Sequence, residues 1–148
     1  MSKPTVAFAA DHAGFELKNL LRDELKGQGY PVVDLGTLSA ESVDYPDFGR
    51  ALGEAVSRGD AQFGVAVCGS GIGISIAANR IPGCRAALVH DSLSARLSRQ
   101  HNDANVIALG ARLIGVDTAK DCLKVFLETP FEGGRHARRV AKLGESAQ

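Results

Sequence analysis

The sequence predicts an α/β fold, a three-layer α/β/α sandwich built on a Rossmann-like, five-stranded parallel sheet. Five short apolar runs recur along the chain, amphipathic helical patterns lie between them, and glycines and polar residues follow the ends of the runs. Strands that alternate with helices in this way are typical of a sheet covered by helices on both faces. The chain has 148 residues and no linker or internal repeat, so we expect one domain over residues 1–148.

The five predicted strands are rich in valine, alanine, leucine and isoleucine. They cover residues 5–10, 31–35, 63–67, 85–89 and 105–109. Several are apolar at consecutive positions, which favours strands that are buried on both faces of a parallel sheet. Because ligands bind beyond the carboxyl ends of such strands, the residues that follow each run are candidates for function.

Between these runs, apolar residues recur at helical spacing. The stripes comprise Leu17, Leu20, Leu21 and Leu25; Phe48, Leu52, Ala55 and Val56; and Ala119, Cys122, Leu123, Phe126 and Leu127. Spacings of three and four residues place each set on one helix face that packs against the sheet. We expect further helices to begin near Ile72 and after Asp91, which suits an N-cap, and a basic helix over about residues 133–143.

Composition excludes several classes of function. Lysine plus arginine number 17, as do aspartate plus glutamate, so the formal net charge is zero, whereas general nucleic-acid and anionic-membrane binders need a basic excess. No apolar run approaches the ~18–20 residues of a membrane-spanning helix. The cysteines form no CxxC pair and the first residues do not resemble a signal peptide. We therefore expect a cytoplasmic protein with reduced thiols and without nucleic-acid or membrane partners.

The most informative motif is a glycine-rich turn between the third strand and the helix that begins near Ile72. Its sequence is Cys68-Gly69-Ser70-Gly71-Ile72-Gly73, which allows backbone N–H groups and a helix N-terminus to face an anionic ligand. Ile74 stands where a dinucleotide-binding fingerprint has its third glycine and where a cysteine phosphatase loop has its arginine. No Gly-Lys-Ser/Thr of a P-loop follows. A tight turn without any ligand is the alternative interpretation.

Cys68 begins this turn, and two interpretations of it stay open. Most free cysteines are small, buried hydrophobic residues. At a helix N-terminus, however, a thiol is favoured to ionise near neutral pH and to act as a nucleophile or base. Cys84 and Cys122 lie beside a strand and on an apolar stripe, so we expect both of them in the core.

Histidines and acids near the element ends fit either acid–base chemistry or ordinary capping. Asp11-His12 follows the first strand, where Asp11 could cap the next helix or both residues could contact a phosphorylated substrate. His101-Asn102 ends the fourth helix, where a histidine suits the helix dipole. His90 is expected to be a surface or turn residue. No HxH, HxxxH or CxxC spacing occurs, so we expect no metal site and no cofactor.

The C-terminal segment carries a local excess of positive charge. In a helix, Arg135 and Arg139 share one face at i, i+4, and Arg138 and Lys142 share another. Such a run is usually a solvated face, but two arginines one turn apart can also bind a phosphate. We expect Gly133-Gly134 to let this segment fold over the edge of the sheet and close the site.

Taken in order, the motifs resemble those of the sugar-phosphate isomerase family that includes ribose-5-phosphate isomerase B and galactose-6-phosphate isomerase. The matching motifs are ADHAGF at 10–15, DYP at 44–46, CGSGIG at 68–73, SRQHN at 98–102 and GGRH at 133–136. Together they cover nearly the whole chain, which makes the resemblance far more specific than any one motif. It implies a metal-free enzyme that interconverts ribose 5-phosphate and ribulose 5-phosphate through a cis-enediolate.

The resemblance also implies roles for individual residues. Cys68 would be the base that moves a proton between C2 and C1, and His101, assisted by Asp11, the acid that opens the furanose ring. Ser70 and the amides of residues 69–73 would hold the enediolate oxygens. The implied phosphate contacts are His12, Arg112, Arg135 and Arg139, and the implied substrate contacts are Tyr45 and Asn102. One branch of the family has a glutamate in place of Ile74 and lacks the cysteine, so this chain resembles the cysteine branch.

The family's sites are completed by a neighbouring subunit. The resemblance therefore implies a homodimer or a dimer of dimers with shared active sites, in which His101, Asn102 and Arg112 are the residues expected to be lent. Two alternatives stay open. An isomerase of another sugar phosphate (a tetrose 4-phosphate, allose 6-phosphate or galactose 6-phosphate) would keep the fold and change the pocket length. A non-catalytic phosphate-binding module would not need Cys68 and His101 together.

Overall fold

The structure is a computed structural model that describes residues 2–145. Its strands are β1 (Val6–Ala10), β2 (Val32–Asp34), β3 (Phe63–Cys68), β4 (Ala86–Leu88) and β5 (Val106–Gly110). Its helices are α1 (Phe15–Gly27), α2 (Tyr45–Arg58), α3 (Ile72–Asn79), α4 (Ser92–Gln100), α5 (Val116–Glu128) and α6 (Arg135–Leu143). The strands form one parallel sheet in the order β2-β1-β3-β5-β4. The predicted α/β fold with a five-stranded parallel sheet is therefore confirmed.

The sheet is covered on both faces because successive side chains of a strand point to opposite sides. Val6 and Phe8 of β1 face a core shared with α1, α4 and α5. Ala7 and Ala9 face a second core shared with α2 and α3. The small side chains on this second face allow α2 and α3 to lie close to the sheet. The four residues of β1 from Val6 to Ala9 are fully buried.

The order of the last two strands was not predictable from the sequence. β5 lies inside the sheet and pairs with both β3 and β4, so it is buried along its whole length. β4 and β2 form the two edges, and each is only three residues long. The runs at 31–35 and 85–89 predicted longer strands, whereas each edge strand pairs with its neighbour over three residues.

Helix α1 buries a face that differs from the predicted one. Leu17, Leu21 and Leu25 are buried as expected, but Leu20 is 42% exposed. Lys18 is fully buried instead, and its ammonium group pairs with Asp34. A hydrophobic stripe cannot reveal this arrangement, because it does not show which lysine finds a buried partner.

Each end of a helix lies at one of the two edges of the parallel sheet. Residues that follow a strand lie at the carboxyl edge, and residues that follow a helix and precede the next strand lie at the amino edge. α6 lies at the amino edge, where its His136 stacks on His101, the C-cap of α4. We expected this segment to fold over the carboxyl edge. It does not, because the chain that leaves α5 is held at the amino edge, where the Glu132 N–H donates to the Gln100 carbonyl at 3.1 Å.

The three cysteines are free thiols. Cys84 and Cys122 are buried at 7% and 0% exposure, which confirms that they belong to the core. Within residues 2–145, none of the helices has the length and apolar character that crossing a membrane requires.

Candidate functional site

The carboxyl edge of the sheet contains a topological switch point between β1 and β3. The chain leaves β1 towards one edge strand and leaves β3 towards the other, so the two loops diverge and a crevice forms between them. Asp11 follows β1, and its N–H donates to the Val67 carbonyl at 3.2 Å. Gly14 packs on the same carbonyl, since a Cβ there would lie 2.4 Å from the oxygen. The backbone therefore brings Asp11 beside the end of β3, where Cys68 lies.

Cys68 ends β3 and directs its thiol at the turn that leads into α3. Its Sγ accepts a hydrogen bond from the Gly71 N–H at 3.1 Å, and the residue is buried. Gly71 has φ +77° and lies against the backbone of β5, where a Cβ would be 2.8 Å from the Leu109 carbonyl carbon. Only glycine fits this conformation and this contact. The N–H and the N-terminus of α3 are thus placed to stabilise negative charge at the sulfur.

The turn after Cys68 is held against the loop that follows β5. The Ala111 N–H donates to the Cys68 carbonyl and the Arg112 N–H to the Gly69 carbonyl, both at 2.9 Å. The Arg112 side chain runs along the turn, because a Cβ on Gly69 would lie 3.2 Å from its Nη1. Ser70 Oγ accepts a hydrogen bond from the N–H of the second residue after it at 3.1 Å. Arg112 therefore lies beside Gly69 of its own chain, whereas the resemblance implied that it would be lent to the site of a neighbouring subunit.

Two further predicted residues border the crevice. Tyr45 begins α2, and its ring lies against Gly73, where a Cβ would be 2.5 Å from the tyrosine Cε1. His12 is half-buried, and its Nδ1 accepts a hydrogen bond from the Val43 N–H at 3.2 Å. A neutral imidazole that accepts at Nδ1 carries its proton on Nε2. His12 can therefore donate a hydrogen bond to a substrate oxygen.

A buried ion cluster, which sequence reasoning missed, supports the loop after β2. Lys18 Nζ lies 2.7 and 2.8 Å from the two carboxylate oxygens of Asp34 and donates to the Thr37 carbonyl at 2.8 Å. Burial raises the pKa of Asp34, but hydrogen bonds from Lys18, the Gly36 N–H and Arg22 outweigh it and hold that pKa below its ordinary value. The sequence feature that could have indicated this cluster is Lys18, which lies within the leucine stripe of α1.

A second group of predicted residues gathers at the amino edge. His101 and Asn102 follow α4 and line a surface cavity of about 310 Å³ together with His136 and Arg139 of α6. The His101 and His136 rings are stacked, with centroids 4.3 Å apart and planes 13° from parallel. Arg135 begins α6 and is exposed. Sequence reasoning missed His136, although it adjoins Arg135 in the GGRH motif.

Glu132 joins the two histidines of this cavity. Its Oε1 lies 3.5 Å from His136 Nε2 and 4.0 Å from His101 Nε2. Burial lowers the pKa of His136, His101 and Arg135 lower it further, and Glu132 acts in the opposite direction. Within residues 2–145, these three side chains are the cluster with the composition of a metal site. The spacings considered in the sequence did not include a glutamate and a histidine four residues apart, so the cluster was missed.

The predicted site residues therefore form two groups. The carboxyl-edge group comprises Asp11, His12, Tyr45, Cys68, Gly69, Ser70, Gly71, Ile72, Gly73 and Arg112, and the amino-edge group comprises His101, Asn102, Arg135 and Arg139. A strand of five to six residues is about 17–20 Å long. Within one chain, His101 therefore does not reach a ligand held at Cys68.

Comparison with known proteins shows similarity along nearly the whole chain. Residues 6–143 match the model of a family described as Ribose/Galactose Isomerase. The chain is 45% identical to ribose-5-phosphate isomerase B of Escherichia coli (strain K12), over 91% of this chain and 91% of that protein. It is 43% identical to D-erythrulose-4-phosphate isomerase of Pectobacterium atrosepticum, over 95% of this chain and 93% of that protein. The structure of Clostridium thermocellum ribose-5-phosphate isomerase B superposes with a TM-score of 0.94 at 51% identity, over 95% of both chains.

Proposed function

Because this chain belongs to the ribose/galactose isomerase family, we propose that it interconverts ribose 5-phosphate and ribulose 5-phosphate through a cis-enediolate, with Cys68 as the base. Membership makes the chain a sugar-phosphate isomerase, so a non-catalytic binding module is no longer an alternative. The assignment of Cys68 as the base rests on one observation. Its thiol lies at the switch point and accepts a hydrogen bond from the Gly71 N–H.

The chemistry of the proposal requires a base beside C2 and donors for the oxygens that become charged. Cys68, as a thiolate, takes the proton from C2 of the open-chain aldose, and negative charge moves to the C1 oxygen. A proton passes from the C2 hydroxyl to the C1 oxygen, the proton held by Cys68 returns to C1, and C2 becomes the carbonyl carbon of the ketose. Ser70 and the backbone N–H groups of residues 69–73 lie in the turn that Cys68 begins. The Gly71 and Ile72 N–H groups bind Cys68 Sγ and Ser70 Oγ, so Ser70 and the other N–H groups of the turn are the donors to the enediolate oxygens. The N-terminus of α3 adds positive potential at the same point.

Ring opening in this proposal requires a second copy of the chain. The acid that protonates the ring oxygen is assigned to His101, which lies at the opposite edge of its own sheet from Cys68. We therefore assign His101 and Asn102 to the neighbouring subunit of a homodimer or a dimer of dimers. Apolar side chains beside the carboxyl-edge group support a subunit interface there, since Ile72 and Ile76 of α3 are 50% and 58% exposed.

The phosphate in this proposal lies between groups from both subunits. Arg135 and Arg139 are exposed on α6 and lie one turn apart, a spacing that suits two charge-assisted hydrogen bonds to one phosphate. His12 and Arg112 of the other subunit complete the contacts. The single isomerase domain then uses α6 to close the site of its neighbour, not its own.

A tetrose 4-phosphate is the second candidate substrate. The chain is almost as similar to D-erythrulose-4-phosphate isomerase as to ribose-5-phosphate isomerase B, at 43% and 45% identity. Measurement of kcat/KM on a panel of four-, five- and six-carbon sugar phosphates, including allose and galactose 6-phosphates, discriminates between the candidates. We expect the highest value for ribose 5-phosphate. A higher kcat/KM for erythrulose 4-phosphate would select the second candidate.

A further inference from the structure

We propose that His101, Glu132 and His136 form a binding site for a divalent transition-metal ion of the zinc class. The ligand atoms of these three side chains all lie within 4.8 Å of one another. Two imidazoles and one carboxylate, with a fourth position left for water, are a ligand set that zinc takes in proteins. Binding at this site does not depend on the proposed function, but its inhibitory consequence does.

One distance in the cluster already matches a tetrahedral zinc site, and the other two must shorten when an ion binds. Bonds of ~2.0–2.2 Å place neighbouring ligand atoms about 3.3–3.5 Å apart. Glu132 Oε1 is already 3.5 Å from His136 Nε2, and it is 4.0 Å from His101 Nε2. The stacked rings lie within 13° of parallel, so one ring must turn before both lone pairs point at one ion. His101 is the ring that can turn, because its side chain is 39% exposed against 9% for His136.

Backbone hydrogen bonds hold the three residues together without any ion. The Glu132 N–H donates to the carbonyl of Gln100, the residue before His101, at 3.1 Å. The His136 N–H donates to the Gly133 carbonyl at 3.0 Å. The ligands are thus fixed by the junction of α4 and α6, so binding needs little chain ordering.

The composition of the site predicts which ions it selects. Zn²⁺ and Cu²⁺ bind imidazole strongly, whereas Mg²⁺ and Ca²⁺ prefer shells made of oxygen ligands. The cluster offers one carboxylate only, and Arg139 lines the same cavity and opposes a cation. We therefore expect Zn²⁺ and Cu²⁺ to bind and Mg²⁺ not to bind at comparable concentrations.

Occupancy would affect the reaction through His101. An ion on His101 Nε2 takes the position of the proton that an acid must deliver. Zinc would therefore inhibit the proposed isomerisation without contacting Cys68. Because a thiolate also binds zinc, the experiment must separate the two sites.

The test is titration of Zn²⁺ into the folded protein without substrate, in competition with a chromogenic chelator. One ion per chain is expected. His136→Gln and Glu132→Gln should each weaken binding by about tenfold or more. His90→Gln, which changes an exposed histidine outside the cluster, should leave the Kd unchanged. Circular dichroism establishes that each variant is folded, and Glu132, with a half-exposed side chain, is the variant least able to disturb the fold.

Inhibition of the isomerase by zinc provides the second readout. The half-inhibitory concentration should rise in Glu132→Gln by the same factor as the Kd, and EDTA should restore full activity. Binding that is lost in Cys68→Ser and kept in His136→Gln would place the ion on the thiol and overturn the proposal. Equal binding by wild type and both cluster variants would also overturn it. One zinc bound through the cluster in a protein that isomerises no sugar phosphate would uphold the site and refute the proposed function.

Discussion

Cys68 and His101 lie at opposite edges of the same sheet, since Cys68 ends β3 at the carboxyl edge and His101 follows α4 at the amino edge. The separation follows from the parallel topology, because each helix returns the chain from one edge to the other. Because both residues must act on one small substrate, Cys68 of one chain and His101 of a second chain must form the site together. Assembly is therefore a requirement of the proposed mechanism.

Replacement of Cys68 by alanine should lower kcat by about 10²–10⁴-fold, the usual contribution of a positioned general base. The fold should be kept, because only one small side chain at the end of a strand is lost. Steady-state kinetics and thermal unfolding of the same sample check both expectations. Cys84→Ala is the matched control, since it removes a buried thiol outside the site and should leave kcat near that of wild type. Equal turnover by Cys68→Ala would remove Cys68 as the base.

The three thiols should differ in their reaction with iodoacetamide. Burial raises the pKa of both Cys84 and Cys122 to about 11. A raised pKa keeps a thiol protonated, so at pH 8 these two residues offer almost no thiolate. Cys68, which accepts the Gly71 N–H, should be alkylated first, with activity lost in parallel and substrate giving protection. Peptide mapping by mass spectrometry measures the three rates. Faster alkylation of Cys84 or Cys122 than of Cys68 would contradict this expectation.

Arg135 and Arg139, but not Arg138, should bind the substrate phosphate. A residue three positions along a helix from Arg135 is turned about 60° away from it, and Arg138 is turned about 100° from Arg139, by the 3.6-residue period. Loss of a charged hydrogen bond costs about 1.5–3 kcal/mol, which is roughly ten- to a hundredfold in kcat/KM. Arg135→Ala and Arg139→Ala should show this loss, and Arg138→Ala should stay within a few-fold of wild type.

The control for this comparison is the unphosphorylated sugar. If Arg135→Ala and Arg139→Ala impair turnover of both sugars equally, the pair serves folding or assembly. An Arg138→Ala variant that is as impaired as the other two would show that the assignment of the phosphate contacts is wrong.

The ion pair between Lys18 and Asp34 should make stability depend on acid pH. The pKa of Asp34 is lowered in the folded protein. The stabilisation that its ion pair gives is therefore fully present above the ordinary pKa of 3.8. This stabilisation is lost as the pH falls through the lower pKa of the folded state. Asp34→Asn should cost about 3 kcal/mol or more at pH 7, because it leaves a fully buried ammonium without its carboxylate. The variant should also show a flatter decline in stability below pH 4.

Urea unfolding at pH 7, 5 and 3 measures both effects. Asp60→Asn is the matched control, since its ion pair with Arg58 is exposed and should contribute less than about 1 kcal/mol. An Asp34→Asn variant as stable as Asp60→Asn at pH 7 would show that the buried pair does not stabilise the loop after β2.

The sequence predicted the sheet, the helices of the main layers and the position of Cys68, because these depend on local patterns. Consecutive apolar residues indicate buried parallel strands, and the glycines of residues 69–73 mark a turn at the carboxyl edge. The position of Asp11 followed from the same reasoning, since it comes directly after β1.

Features set by contacts between distant segments were not predictable. The basic residues of α6 indicated a helix, but its position depends on the contacts of Glu132 and His136 with the end of α4. The burial of Lys18 depends on Asp34, which lies 16 residues along the chain. In both cases a charged or polar side chain finds its partner only after folding, and no spacing in the sequence records that.

The most direct test of a site shared between subunits is complementation between two inactive variants. Cys68→Ser and His101→Asn are prepared separately, unfolded, mixed in equal amounts and refolded together. If each site takes Cys68 from one chain and His101 from the other, every mixed pair contains one intact site. Random pairing makes about half of the pairs mixed, so activity should return to about a quarter of wild type. The control mixes Cys68→Ser with a variant that carries both Cys68→Ser and His101→Asn, and it should give no activity because neither chain supplies Cys68. A mixture of the two single variants that stays as inactive as either alone would contradict the shared site.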